Sequence, residues 1–203
     1  EKVSWFQIMK EGFVVVDIET TGLSAYMHKI TEIGAVKVKD GEVVDRFQSL
    51  VNPGVKIPRF ITRLTGIDDE MVKDAPKISE VIGSFVDFVG EDVFIAHNAT
   101  FDFKFLSHNA EVHLGEGLNN SRLCTRKLAS RILSELPSKK LSSVCEHYDV
   151  ENESAHRAMG DVNATLEIFF KMCETLRENE IDNFDKIEKF EGMPCYKARS
   201  LLN

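Results

Sequence analysis

Apolar positions in the first quarter of the chain come in runs and alternations, and later at three- and four-residue spacing. Phe13-Val14-Val15-Val16 is an unbroken apolar run with three β-branched residues. It predicts a strand over 13–19 buried on both faces. Residues 30–38 set Ile33 and Ala35 against polar partners, and 43–51 reads as a third strand. Between them Lys39-Asp40-Gly41-Glu42 carries the Asp-Gly hairpin signal, so the three strands predict an antiparallel meander. Asn52-Pro53-Gly54 and Pro58 mark an irregular crossing, with short helical turns at 62–65 and 68–72 around Gly66.

From there the period changes. Ile78, Val81, Ile82, Phe85, Val86 and Val89 fall at helical spacing and Gly90 follows, which predicts an amphipathic helix over 77–89. Val93-Phe94-Ile95-Ala96 is a short buried strand, and a helix with Phe101, Phe105 and Leu106 on its apolar side comes next, capped by Asn98 or Thr100. A Gly- and Asn-rich loop (114–120) leads to a strand at Leu123-Cys124 and helices over 125–134 and 141–148, separated by Leu136-Pro137-Ser138. Val162, Leu166, Phe169, Phe170, Cys173 and Leu176 form the last strong helical stripe. Strands first, then alternating β and α, predict an α/β sheet with helices on its faces, and chemistry at strand ends.

The two ends are less patterned. Residues 1–12 are polar with a cluster of Trp5, Phe6, Ile8 and Met9, expected to be an arm on the core. Residues 181–203 offer Asn183 as a cap, Phe184, Ile187 and Phe190 at threefold spacing, then Gly192 and Pro194. That reads as a short helix and an extended end. The expected division is a catalytic domain over 1–180 and a tail over 181–203 that docks on a partner rather than completing the core. On that reading, truncation after Arg177 leaves catalysis largely intact.

Composition narrows the class. The 203 residues, 43% hydrophobic and 29% charged, suit one compact domain with a sizeable core. No apolar run approaches the roughly 20 residues of a membrane span. The chain begins at Glu1 rather than Met, and no signal peptide is visible in it. Cys124, Cys145, Cys173 and Cys195 are widely spaced with no CxxC, which argues against structural zinc and for a reducing, cytoplasmic setting. A net charge of −8 argues against non-specific coating of nucleic acid. It is compatible with an acidic pocket neutralised by metal ions.

The candidate chemistry begins at the end of the first strand. Asp17 and Glu19 share a face with Val15, because side chains alternate along a strand, while Ile18 points away. Two like charges one pleat apart at the end of a buried strand are costly unless a cation sits between them. They read as half of a divalent-metal site. Asp102 falls in the first turn of its helix, where the helix dipole favours the ionised form; alone it reads more readily as a dipole-compensating surface acid. His97 and Asn98 follow a buried strand. His156 and Asp161 are five apart, about 140° around one helix, so they converge only if His156 sits in the loop before the helix, which Asn152 and Ser154 make plausible. Arg122, Arg126, Lys127, Arg131, Lys139 and Lys140 are the one basic concentration, readable as a phosphate track or as a solvated helix face.

Taken together these motifs are more specific. Asp17-Ile18-Glu19-Thr20-Thr21-Gly22-Leu23, His97-Asn98-Ala99-Thr100-Phe101-Asp102 and His156-Arg157-Ala158-Met159-Gly160-Asp161 stand in one order. With Leu64-Thr65-Gly66-Ile67 and Ala75-Pro76 between the first two, the sequence over roughly 12–177 resembles the DnaQ-like, DEDDh-type 3′–5′ exonucleases, which include the proofreading epsilon subunit of bacterial DNA polymerase III. Arg157 occupies the position where a related subtype has Tyr, which favours the His subtype. Cys124-Thr125 stands where many relatives have Asp-Thr, and residues 178–203 match nothing in the family.

The resemblance implies a ribonuclease H-like fold, a five-stranded mixed sheet flanked by helices. It implies that Asp17, Glu19 and Asp161 hold one Mg²⁺ or Mn²⁺, with Asp17 bridging to a second and Asp102 reaching it directly or through water. His156 would be the general base. Thr20 and Leu23 would touch the terminal nucleotide, His97 and Asn98 would line its pocket, and Asp92 would face the 3′-hydroxyl. The implied reaction is removal of nucleoside 5′-monophosphates from single-stranded or frayed DNA 3′ ends, as replication proofreading beside a polymerase subunit. An RNA-trimming exonuclease and a non-catalytic nucleic-acid-binding module are the alternatives.

Overall fold

The computed structural model describes residues 10–202, so the expected arm at Trp5 to Met9 lies outside the described residues. Five strands form one mixed sheet in the order β3-β2-β1-β4-β5: β1 Phe13–Thr20, β2 Ile30–Lys39, β3 Glu42–Leu50, β4 Val93–Ala96 and β5 Arg122–Cys124. The expected meander is present, with β1–β2 and β2–β3 antiparallel. β4 and β5 join parallel to β1. Asp40, at φ 53°, and Gly41, at φ 79°, make the left-handed turn that their Asp-Gly step predicts.

The alternation along β1 divides the core. Val14, Val16 and Ile18 face one layer, together with Ile33 and Ala35 of β2. That layer is built by α3 (Ile78–Val89) and α4 (Ala99–Leu114). Phe13 and Val15 face the other, with Val36 and Val38. There the covering elements are α5 (Thr125–Ile132), α6 (Leu141–His147) and α7 (Ala158–Glu178). Two short helices, α1 (Arg59–Thr65) and α2 (Asp69–Val72), cap a small satellite core at Ile57, Ile61, Ile67 and Val72. Asp68 caps α2 by accepting from Met71 N–H at 2.9 Å. No helix among the described residues is long and apolar enough to cross a membrane.

The tail departs from expectation. Instead of an extended end there are two helices, α8 (Phe184–Gly192) and α9 (Cys195–Arg199). Phe184, Ile187 and Phe190 are buried in the same cluster as Phe13 and Phe169, and Phe184 meets the Phe13 ring edge-on at 5.7 Å. The threefold spacing that suggested a partner-docking face is therefore covered by the chain's own core. Arg131 fixes the segment by donating to Met193 O from Nε and Nη2 at 3.0 and 2.7 Å, and Arg199 Nη2 donates to Ser130 O at 2.9 Å.

Candidate active site

β1 outruns β4. The parallel register ends at Val15–Ile95, while β1 continues to Thr20. The last five residues of β1 therefore open on a cleft at the carboxyl ends of the strands. Asp17 and Glu19 project there on the face covered by α7, where Asp161 stands in the helix's first turn. Oxygens of Asp17, Glu19 and Asp161 all lie within 4.8 Å of one another. Asp17 Oδ2 is buried with no hydrogen-bond partner.

Burial and mutual repulsion make this cluster a poor place for unscreened charge. Asp17 is held well above the ordinary carboxylate range by burial, then by Asp102, Glu19 and Asp161. Glu19 is pushed up to about 9 by burial, then by the charges of Asp161, Glu32 and Asp102, with Arg157 pulling the other way. Asp161 is raised by burial against the hydrogen bonds it accepts.

Asp102 joins from the other layer. It is buried, and Oδ1 accepts the N–H of Ile18 at 3.1 Å, on the edge of β1 beyond its pairing with β4. The helix-start position was expected to favour its charge. Burial outweighs that and pushes it up to about 8.

The loop before α7 is built around Asp161. His156 lies in it at φ 64°, exposed, and its N–H points at Asp161 Oδ2 and Oδ1 at 3.2 and 3.3 Å. Asn152 Nδ2 donates to Asp161 Oδ1 at 2.7 Å. Two glycines permit the packing: a Cβ on Gly160 would lie 2.4 Å from Ser154 O, and one on Gly34, opposite Asp17 in β2, 2.9 Å from the Ala158 carbonyl carbon.

Glu32 is the residue that the sequence motifs missed. It pairs with Glu19 across β1–β2, is fully buried, and accepts Arg157 Nε and Nη2 at 3.0 and 2.7 Å and Ala158 N–H at 2.6 Å. The signal was available: Glu32 falls on the same strand face as Gly34, Val36 and Val38, so a charge there is turned inward and demands a partner.

The other predicted contacts divide. His97 and Asn98 line a cavity of about 490 Å³ shared with Asn152, His156 and Asp161. Both His97 ring nitrogens are taken, by Thr125 Oγ1 and Lys139 O, each at 2.8 Å. A carbonyl only accepts, so Nε2 carries the proton and Thr125 donates to Nδ1. Burial holds this imidazole down at about 4. Asn98 occupies the N-cap of α4 at φ 77° without a side-chain cap bond, so neither capping candidate acts as expected. Leu23 is 86% exposed in the loop after β1. Thr20 is buried, with its hydroxyl donated to Gly22 O at 2.6 Å. Asp92 is the clear correction. It precedes β4 at the opposite end of the sheet, beside Gly12, and pairs with Lys37 at 3.4 Å; five residues of strand put it roughly 15 Å from the carboxylates. The basic concentration also splits. Arg126 and Lys140 line the cavity, whereas Lys127 pairs with Glu191 and Arg131 holds Met193.

The donor set fits a hard divalent cation. It is all oxygen, clustered and charge-rich, and Asp17 Oδ2 has no hydrogen-bond partner among the described residues. A mixed sheet with a carboxylate box where its central strand outruns its neighbour defines the ribonuclease H-like nuclease class. The comparisons agree. The profile of the RNase_T family, described as "Exonuclease", matches residues 14–169, and the chain belongs to this family, the DnaQ-like 3′–5′ exonucleases. Curated relatives named DNA polymerase III PolC-type include those of Caldanaerobacter subterraneus, 46% identical over 175 residues and 86% of this chain, and Bacillus subtilis, 38% identical over 192 residues and 94% of this chain. The chain spans 12% and 13% of their lengths. Among solved structures, Exonuclease X in complex with 5′ overhanging duplex DNA superposes with a TM-score of 0.69 at 26% identity, covering 86% of this chain and 99% of that one. E. coli Exonuclease I in complex with a dT13 oligonucleotide gives 0.75 at 16% identity, covering 83% and 42%, a likeness of fold.

Proposed function

We propose that the chain is a 3′–5′ exonuclease acting on DNA ends in the cytoplasm beside a replicative polymerase, in the proofreading sense suggested by its PolC-type relatives. The observation that carries this reading is the unpartnered Asp17 Oδ2 at the centre of a buried carboxylate cluster. Asp17, Glu19 and Asp161 would hold Mg²⁺ or Mn²⁺, with Asp102 completing a second position. Two such ions supply charge stabilisation to the attacking and leaving oxygens of a phosphodiester.

The chain's own residues do the rest. Asn152 and the His156 N–H fix the orientation of Asp161. The Ile18 N–H fixes Asp102. An imidazole nitrogen of His156 takes a proton from water as the water oxygen attacks phosphorus. The bond from phosphorus to the 3′-oxygen breaks, that oxygen takes up a proton from solvent as the new 3′-hydroxyl of the shortened strand, and a nucleoside 5′-monophosphate leaves. Arg126 and Lys140 on the cavity wall meet phosphate charge, and Leu23 offers an apolar surface to the terminal nucleotide. A time course on 5′-labelled single-stranded DNA, mispaired DNA and RNA with Mg²⁺ tests the reading. Stepwise shortening of DNA from its 3′ end is expected. Internal cuts would overturn it, and faster shortening of RNA would make this an exoribonuclease.

A further inference from the structure

The loop leaving β1 exposes more apolar surface than a closed domain needs. Tyr26 is 66% exposed and Met27 78%, a few residues after Leu23. The Tyr26 ring is nonetheless held. His108 meets it edge-on at 4.7 Å, and Lys104 Nζ lies 5.1 Å from its centroid. Thr100, Lys104 and His108 succeed one another by one turn along the outer face of α4. Arg122, at the start of β5, lies 4.3 Å over the Phe103 ring. These groups line a hollow of about 250 Å³.

Its chemistry is that of a single-strand platform. An aromatic face offers stacking to any base, and neighbouring cations meet the phosphates. Lys104 and Arg122 outweigh the one acid at its edge, Glu111, in a chain of net charge −8. A ring already fixed by His108 and Lys104 has less freedom to lose on stacking. Thr100 of this hollow and Asn98 of the reacting cavity stand two residues apart at the start of α4, and the loop carrying Tyr26 leaves the end of β1 that holds Asp17 and Glu19.

We propose that this hollow binds the unpaired nucleotides lying 5′ of the terminal one, with Tyr26 as a stacking face and Lys104 and Arg122 as phosphate partners. The proposal rests on the exonuclease reading for which end of the strand lies where. It requires an unpaired strand, because a duplex keeps its bases stacked on each other. Specificity for frayed ends would then arise from the length of strand that must be free, in addition to the pocket for the last nucleotide.

Fluorescence anisotropy with 5′-labelled oligothymidylates of increasing length tests it without requiring cleavage. Affinity in the unaltered protein is expected to rise over the first few nucleotides. Tyr26→Ala should lose that gain, weakening the longer strands by about 5- to 100-fold, and Tyr26→Phe should keep it. Lys104→Gln should lower the salt slope by about 0.7. Tyr196→Ala, removing a still more exposed ring on α9, should change neither. Equal length profiles for Tyr26→Ala and the unaltered protein would overturn the proposal, as would equal loss in Tyr196→Ala or in Tyr26→Phe. Failure to shorten any strand with Mg²⁺ would instead strike the exonuclease reading, which the anisotropy result does not depend on.

Discussion

Arg157 reaches back 125 residues to Glu32, placing Nε and Nη2 at 3.0 and 2.7 Å from the same carboxylate oxygen. The other oxygen takes the N–H of Ala158, the first residue of α7. One buried side chain on β2 thus ties the strand beside Glu19 to the loop and helix carrying His156 and Asp161. It touches no reacting group and acts through position.

Removing it should separate position from binding. Glu32→Ala leaves a cavity and a displaced guanidinium, and breaking such a buried pair costs about 3–5 kcal/mol. Glu32→Gln keeps the volume and should cost less. Because a shift of about 1 Å at a reacting centre can cost about 10²-fold, Glu32→Gln should lower kcat by that order with KM near its starting value. Denaturation curves and steady-state kinetics on both variants check this. Normal kcat in Glu32→Gln would remove its positioning role.

Gly160→Ala should act on the same loop from the other side. The added Cβ meets Ser154 O at 2.4 Å, a backbone atom that cannot swing away. A destabilisation of about 1–3 kcal/mol and a sharp loss of turnover are expected, read by thermal melting and single-turnover cleavage.

His156→Ala should lower the chemical rate by about 10²–10⁴-fold while divalent-ion affinity stays close to its original value. The imidazole must be neutral to accept a proton, so the rate in the unaltered protein should fall on acidification. A variant that keeps its rate would make His156 a loop residue only.

Deleting 181–203 should now unfold the domain rather than spare it. Phe184, Ile187 and Phe190 are each worth about 1.5–3 kcal/mol of burial, against a whole-domain stability of about 5–15 kcal/mol. Thermal melts of the truncated chain check this. A melt unchanged from the full chain would restore the tail to a partner-docking role.

Metal and pH should be linked through stability. Glu19 and Asp102 are pushed up to about 9 and about 8, from about 4 in an unfolded chain. With chelator present, the folded state holds protons that the unfolded state has lost between those values, so the contribution of these groups to stability is full below about pH 4, declines across that window and is gone once pH has risen through 8 and 9. Mg²⁺ or Mn²⁺ should restore it, most strongly at the alkaline end. Melting temperatures across pH, with and without ion, report this.

The carboxylate cluster was readable in the sequence because its chemistry is local. Asp17 and Glu19 sit one pleat apart on a strand, and Asp161 opens a helix. The meander was equally readable from alternation and one Asp-Gly turn. What escaped depends on tertiary placement. Asp92 stood at the right spacing from His97 but at the wrong end of β4, because counting residues does not say which end of a strand faces the cleft. Glu32 lay in no motif, although its strand face turned it inward. The tail's apolar spacing was read correctly as a helix face, but the partner it covers, Phe13, is 171 residues away in sequence. Asp102 shows the competition most plainly: position in the first turn favours the charge, and burial overrides it.

Titration calorimetry with Mn²⁺ near pH 7.5, in buffers of different ionisation enthalpy, tests whether the Asp17 cluster is a divalent-cation site. Raised carboxylates must give up protons as an ion enters. The unaltered protein should therefore bind Mn²⁺ with net proton release, and Asp17→Asn should lose most of both the binding and the release. Absence of binding in the unaltered protein, or an unchanged titration in Asp17→Asn, would contradict the account.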